Sequence, residues 1–190
     1  MKKYISLMLC TVMLSCAVFG CETKEKLQSK NLDSTTTEIE NKETKINASI
    51  KLFGTNLELP CKFSDLSDVT FDSDTALWIN DTTVYGAIYS GIYRIGRVEI
   101  SNCTSKDEDM SDKYIKYLQL SPDFGFDNLD FEYNGFTYAT TKEQIIKAFG
   151  TPDEEFNNNI CYYLDSNDTY VEFEFGNENS EIKSIAIKVD

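Results

Sequence analysis

The apolar positions of this chain fall into three regimes. From Tyr4 to Phe19 they form an almost continuous run without a charge. From Glu22 to Ala48 they thin to isolated residues such as Leu27, Leu32, Ile39 and Ile46, with no aromatic, Gly or Pro nearby. From Ser49 onward they alternate with polar residues in short runs. The first regime reads as a targeting segment. The second cannot bury enough surface to offset the entropy of ordering its backbone, so we expect a disordered tether. The third is long enough for one folded domain. The expected division is therefore 1–20, 21–48 and 49–190.

Within the third part, strand signals dominate. Ile50–Phe53 and Leu57–Leu59 flank Gly54-Thr55-Asn56, and Ala76–Ile79 and Thr83–Tyr89 flank Asn80-Asp81-Thr82. Ile92–Ser101 follows Ser90-Gly91, and Lys113–Leu120, Ile160–Leu164, Thr169–Phe175 and Glu181–Val189 complete the set. Val171, Phe173 and Phe175 alternate with Tyr170, Glu172 and Glu174, the period of two that marks a half-buried strand.

A helical period is clear once. Thr140 and Glu143 have the spacing of a capping box, and Ile145, Ile146 and Phe149 give one apolar face. Gly150 and Pro152 follow as stop signals, which predicts a helix over Thr141–Phe149. A weaker helix is expected at Lys62–Val69. Laying Leu66 on Ile145 brings Cys61 onto Thr140 and Leu59 onto Tyr138 without a gap, and strands follow each helix. Two readings stay open: two tandem helix-plus-meander repeats, about 49–122 and 123–190, or a single irregular domain. Both make the fold class α+β, an antiparallel sheet packed by short helices.

The N-terminal run begins with Lys2 and Lys3 and ends in Val18-Phe19-Gly20-Cys21. A positive start, an apolar stretch and a small residue before the cut describe a secretory signal. The ending resembles the lipobox of bacterial lipoproteins. In that family the Cys thiol is alkylated by a diacylglycerol and the signal is cut just before it. Val18 and Gly20 fit the pattern, and Phe19 departs from it. Cys16 competes, but its use would leave Ala17-Val18-Phe19 in the mature tether. A plain signal peptide and an uncleaved anchor are the alternative readings. If Cys21 is lipidated, the protein sits on the outer face of the cell membrane, held by acyl chains that bury about 0.8 kcal/mol per methylene.

A second resemblance lies in the stretch Phe136-Thr137-Tyr138-Ala139-Thr140-Thr141-Lys142-Glu143-Gln144-Ile145-Ile146-Lys147-Ala148-Phe149-Gly150-Thr151-Pro152-Asp153. It is similar to the helix-entry motif of the β-lactamase-inhibitor-protein-like fold, which also includes the small lipoprotein of the outer-membrane assembly machinery. The shared features are Thr-x-x-Glu, the apolar pair, Phe-Gly-x-Pro and three aromatic-rich strands afterwards. Leu59-Pro60-Cys61-Lys62-Phe63-Ser64-Asp65-Leu66 is similar to the first half of Gram-positive lipoproteins of this architecture. The resemblance covers residues 136–190 well and 57–190 loosely. It implies a fold rather than an activity, since the family includes inhibitors and assembly factors. No inhibitory loop or assembly motif matches residue by residue, so no functional residue is carried over.

Composition narrows the chemistry. The 190 residues hold 18 Lys+Arg, 32 Asp+Glu and no His, for a formal charge of −14. Without histidine there is no Ser-His-Asp triad, Cys-His dyad or His-ligated zinc. Losing residues 1–20 removes two lysines and no acid, so the charge moves to −16. Nucleic acid and anionic headgroups are poor partners for such a surface.

Six cysteines are present, and Cys61, Cys103 and Cys161 would remain beside a lipidated Cys21. At most one disulfide can form among three, and Cys61 with Cys103 is the preferred pair. Three small buried hydrophobes is the other reading. Asp72-Ser73-Asp74, Asp107-Glu108-Asp109 and Asp165-Ser166-Asn167-Asp168 are oxygen-rich. The last lacks the Gly and closing Glu of a calcium loop, and turn chemistry accounts for all three. We expect no cofactor and no metal.

The better functional lead is aromatic. Trp78, Tyr85, Tyr89 and Tyr93 fall on three consecutive strands, with Arg94 and Arg97 on the third. Trp, Tyr and Arg dominate binding hot spots because they join large area to polar handles. The expectation is a membrane-anchored, non-enzymatic module that binds a protein or envelope component through Trp78, Tyr85, Tyr89, Tyr93 and Arg97. The alternative is a cell-envelope hydrolase acting through two carboxylates.

Overall fold

The computed structural model describes residues 45–121, 129–176 and 181–190. Cys21 and residues 22–44 of the tether lie outside the described residues, as does the junction near residue 122 between the expected repeats.

The first strands among the described residues form a small hairpin, β1 (Ser49–Leu52) and β2 (Thr55–Glu58), joined by Phe53 and Gly54. Both turn residues have positive φ, 48° and 78°. That is the two-residue connection whose twist suits antiparallel strands. Two short strands follow, β3 (Cys61–Lys62) and β4 (Thr70–Phe71). Then come β5 (Leu77–Asn80), β6 (Thr83–Ser90), β7 (Tyr93–Ser101) and β8 (Tyr114–Leu120). The second half contains β9 (Phe131–Glu132), helix α1 (Lys142–Phe149) and β10 (Glu154–Phe156). It ends with β11 (Asn159–Tyr163), β12 (Tyr170–Phe175) and β13 (Ile182–Lys188).

Ten strands form one antiparallel sheet in the order β10-β11-β12-β13-β8-β7-β6-β4, with β3 added to β8 and β5 to β6. Two meanders, β6-β7-β8 and β11-β12-β13, thus meet at their last strands. The seam pairs Leu120 with Ile185 and Leu118 with Ile187. A second sheet, β2-β1-β9, takes strands from both halves of the chain.

The inner face of the large sheet is apolar. Val84, Ile88, Val98, Leu118, Phe173 and Ile187 are buried there, and Ile50, Leu52, Leu57, Phe131 and Ile145 join the same core. Phe149 of α1 makes edge contacts with Tyr133, Phe136 and Tyr162 at ring separations of 5.3–6.2 Å. The incoming chain is fastened to this cluster. The Tyr133 hydroxyl donates to the Asn47 carbonyl at 2.9 Å.

The expected α+β class is corrected. About half of the described residues are in strands and 8% are helical, with one α-helix among them. The helix expected over Lys62–Val69 is only a 3₁₀ turn at Phe63–Asp65. Leu66 is the one buried residue between Phe63 and Val69, so no apolar stripe exists to hold a helix there. The Asp65 carboxylate accepts from the Lys62 amide at 2.9 Å, the reach-back half of a capping box that here closes a single turn.

Candidate functional site

Residues of opposite parity on the large sheet form its outer face; most are half-buried or exposed, while Ser184 and Ala186 on β13 are buried. Strand register aligns them in rows. One row runs Tyr163, Tyr170, Lys188, Tyr117, Glu99, Tyr85, Leu77. The next runs Glu154, Cys161, Glu172, Ala186, Gln119, Arg97, Ala87. The first row thus sets four tyrosine rings beside the Lys188 and Glu99 charges across seven strands.

The middle of the first row is tightly arranged. Lys188 and Glu99 form an ion pair at 3.9 Å that spans β8, where Tyr117 lies between them in register. The Tyr117 ring meets Tyr85 at 6.2 Å. Arg97 lies over the Tyr85 ring, 5.8 Å from its centroid, and donates to the Tyr85 hydroxyl at 3.3 Å. A guanidinium on a tyrosine face gains from the ring quadrupole while leaving donors free. Burial, then the neighbouring hydroxyls and carboxylates, pushes the Tyr117 phenol well above its ordinary range, so it is a neutral donor at all physiological pH values.

No family model, curated protein or solved structure matches the chain.

The five aromatic and basic residues expected from the sequence are therefore placed by geometry alone. Tyr85 and Arg97 touch, and Tyr89 shares their face four residues along β6 from Tyr85. Tyr93 stands at the far end of that hairpin, paired with Ser90. Trp78 is separate. It pairs with Val84, so it has the opposite parity to Tyr85, and it is 42% exposed on the edge strand β5. Tyr117, Tyr163, Tyr170, Glu99 and Lys188 were not singled out by sequence. Their signal was the polar parity of their strands, which gains meaning only once the two meanders are joined at β8 and β13.

At the β10 end of the face lies a concave site of about 220 Å³, lined by Glu154, Phe156, Asn159, Cys161, Tyr163, Asn167, Tyr170 and Glu172. The Tyr163 hydroxyl donates to Glu154 at 2.6 Å, and the Tyr163 amide donates to Asp153 at 2.7 Å. Asn159 donates through its side chain to Glu172. Burial pushes the Cys161 thiol up to about 11, with Glu172, Glu154 and Asp153 adding to the shift. Cys161 is thus a neutral thiol and a poor nucleophile.

Cys61 and Cys103 are both buried free thiols, so the expected disulfide is not formed. The Cys103 thiol instead donates to the Ile100 carbonyl at 3.4 Å. Burial raises both thiols, Cys61 to about 11.

Two of the three acidic clusters act as turn caps. Asp72 accepts from Asp74 and Thr75, Glu108 from Thr104, Ser105 and Lys113, and Asp109 from Ser111. Asp168 donates its amide to the Ser166 hydroxyl within a turn. Among the described residues, no group of three or more Cys, Asp and Glu is arranged to hold a metal ion. No helix among them is long and apolar enough to cross a membrane.

Proposed function

We propose that this is a lipid-anchored, extracytoplasmic binding module whose outer sheet face receives a protein or envelope component. The observation that carries this reading is the row of rings and charges from Tyr163 to Tyr85, every member of which is half-buried rather than buried. A sheet needs only one face to close its core. Here the second face carries five tyrosines, an arginine and a lysine–glutamate pair in place of a plain polar surface. Tyr85 with Arg97 is the proposed anchor, since large rings beside a guanidinium give the greatest contact energy per residue.

Cys21 holds the module on the membrane, and the tether gives it reach. The negative charge opposes contact with anionic headgroups, so residence rests on the lipid. The test has two parts. Cys21→Ala should release the protein from the membrane fraction; retention at the mature mass would remove the lipid anchor from the reading. Cross-linked pull-downs from solubilised membranes should capture one partner with the native chain and at least tenfold less with Tyr85→Ala/Arg97→Ala. Equal capture by both would discard the face.

A further inference from the structure

The concave site at β10, β11 and β12 has a composition of its own. Phe156, Tyr163 and Tyr170 supply three rings, and Glu154 and Glu172 supply two carboxylates. Phe156 is 75% exposed at the rim of an edge strand, a placement that core packing does not explain. The carboxylates lie on either side of Cys161 in one row, so their backbones stand about 10 Å apart, twice the spacing of neighbouring strands.

Neither carboxylate has a lysine or arginine partner among the described residues. The nearby lysines are engaged elsewhere: Lys188 with Glu99, Lys183 with Glu174 and Lys142 with Glu155. Glu154 and Glu172 instead accept hydrogen bonds from neutral donors, Tyr163 and Asn159. The neutral Cys161 thiol lies between them. The site therefore presents negative charge flanked by ring faces and no compensating cation.

A hard metal ion is a poor fit, because it asks for six or more oxygens and tolerates few rings. A weakly hydrated organic cation suits both halves of the lining, since ring faces attract its charge and its methylenes cover apolar surface. We propose that this site binds an alkylammonium group, carried either by a lysine side chain or by a free amine. The inference extends the binding-face reading to one end of the face, and its test needs no partner.

The test uses the full mature chain and amide NMR. n-Butylammonium, tetramethylammonium and the peptide acetyl-Gly-Lys-Gly-amide are titrated at low salt, with 3,3-dimethylbutan-1-ol as the neutral isostere. Saturable shifts confined to Cys161, Tyr163, Tyr170 and Glu172 are expected for the cations and not for the alcohol. Glu154→Gln/Glu172→Gln should weaken binding at least tenfold. Phe156→Ala, which removes an exposed ring and leaves the core intact, should weaken it severalfold. Tighter binding of the peptide than of butylammonium assigns a lysine side chain as the source, and the reverse order assigns a free amine. No saturable shift, equal binding of the alcohol, or unchanged affinity in the double Gln variant would overturn the proposal. Loss of partner capture on Tyr85→Ala/Arg97→Ala without any amine binding would keep the face and discard this site.

Discussion

At the scale of single residues, two positions are fixed by sharply different physics. Gly96 sits where β7 and β8 approach so closely that a Cβ would lie 1.9 Å from the Gln119 carbonyl oxygen. The obstacle is backbone, so the strand pair itself would have to separate. Gly96→Ala should cost about 3 kcal/mol or more, at the upper end of overpacking effects, measured as a fall in urea midpoint with little change in slope. Glu108 is fixed by charge. Amide donors from Ser105 and Thr104, then Lys113, hold its carboxyl down at about 2, from an ordinary value of 4.5. A carboxyl lowered by folding stabilises the native state above the ordinary value, and that contribution fades as pH falls from 4.5 through about 2. Glu108→Gln lacks the contribution at every pH. The gap in urea midpoint between the native chain and this variant should therefore be widest at pH 7 and narrow towards pH 2.5. A gap independent of pH would remove the carboxylate from the account.

Elements show how much was legible in the chain. All nine expected strand runs exist; most bury one parity against the same core, whereas β5 is exposed throughout and is held by its pairing with β6. The strands that were missed, β3, β4, β9 and β10, have two or three residues and leave no period to read. The outer face was legible only in part. Tyr85 with Arg97 was accessible because both lie in one meander, whereas Tyr117 beside Lys188 depends on pairing between strands about seventy residues apart. The helix was found, but its cap is shifted by one residue. Thr141, not Thr140, is the N-cap: its hydroxyl accepts from the Gln144 amide, and the Gln144 side chain accepts from the Thr141 amide at 2.8 Å. Thr140 caps the preceding turn instead, accepting from the Thr137 amide at 3.0 Å. Thr-Thr-Lys-Glu-Gln satisfies the capping pattern in either register, and the local sequence alone cannot choose between them. The choice has a measurable consequence. Thr141→Ala should cost about 1 kcal/mol and Gln144→Ala a fraction of that, while Glu143→Ala should stay within about 0.5 kcal/mol of the native chain. Equal losses at Glu143 and Gln144 would place the cap where the sequence pattern first suggested.

For the whole molecule, the question is whether two meanders make two folding units. Each is preceded by a helical element, a 3₁₀ turn in the first half and α1 in the second, so the chain reads locally as a tandem arrangement. Its long-range connections argue for one unit. Four residue pairs join β8 to β13, and the second sheet is closed by β1 from the first half and β9 from the second. One apolar core holds Ile50 and Val84 together with Ile145 and Phe173. Neither half could cover its own inner face, since the first contributes no α-helix and the second lacks the β1–β2 hairpin. Thermal unfolding should therefore be a single transition with equal calorimetric and van't Hoff enthalpies. Leu118→Ala and Ile187→Ala face each other across the seam, and each should cost about 2–5 kcal/mol. Because they share a contact, the double variant should lose less than the sum of the two. Hydrogen exchange supplies the decisive reading. In a single unit, either substitution lowers protection equally at Val84 and Val171, on opposite sides of the seam. In two units, Leu118→Ala would loosen only the first meander and Ile187→Ala only the second, and the outer face would then be an interface between separately folding halves.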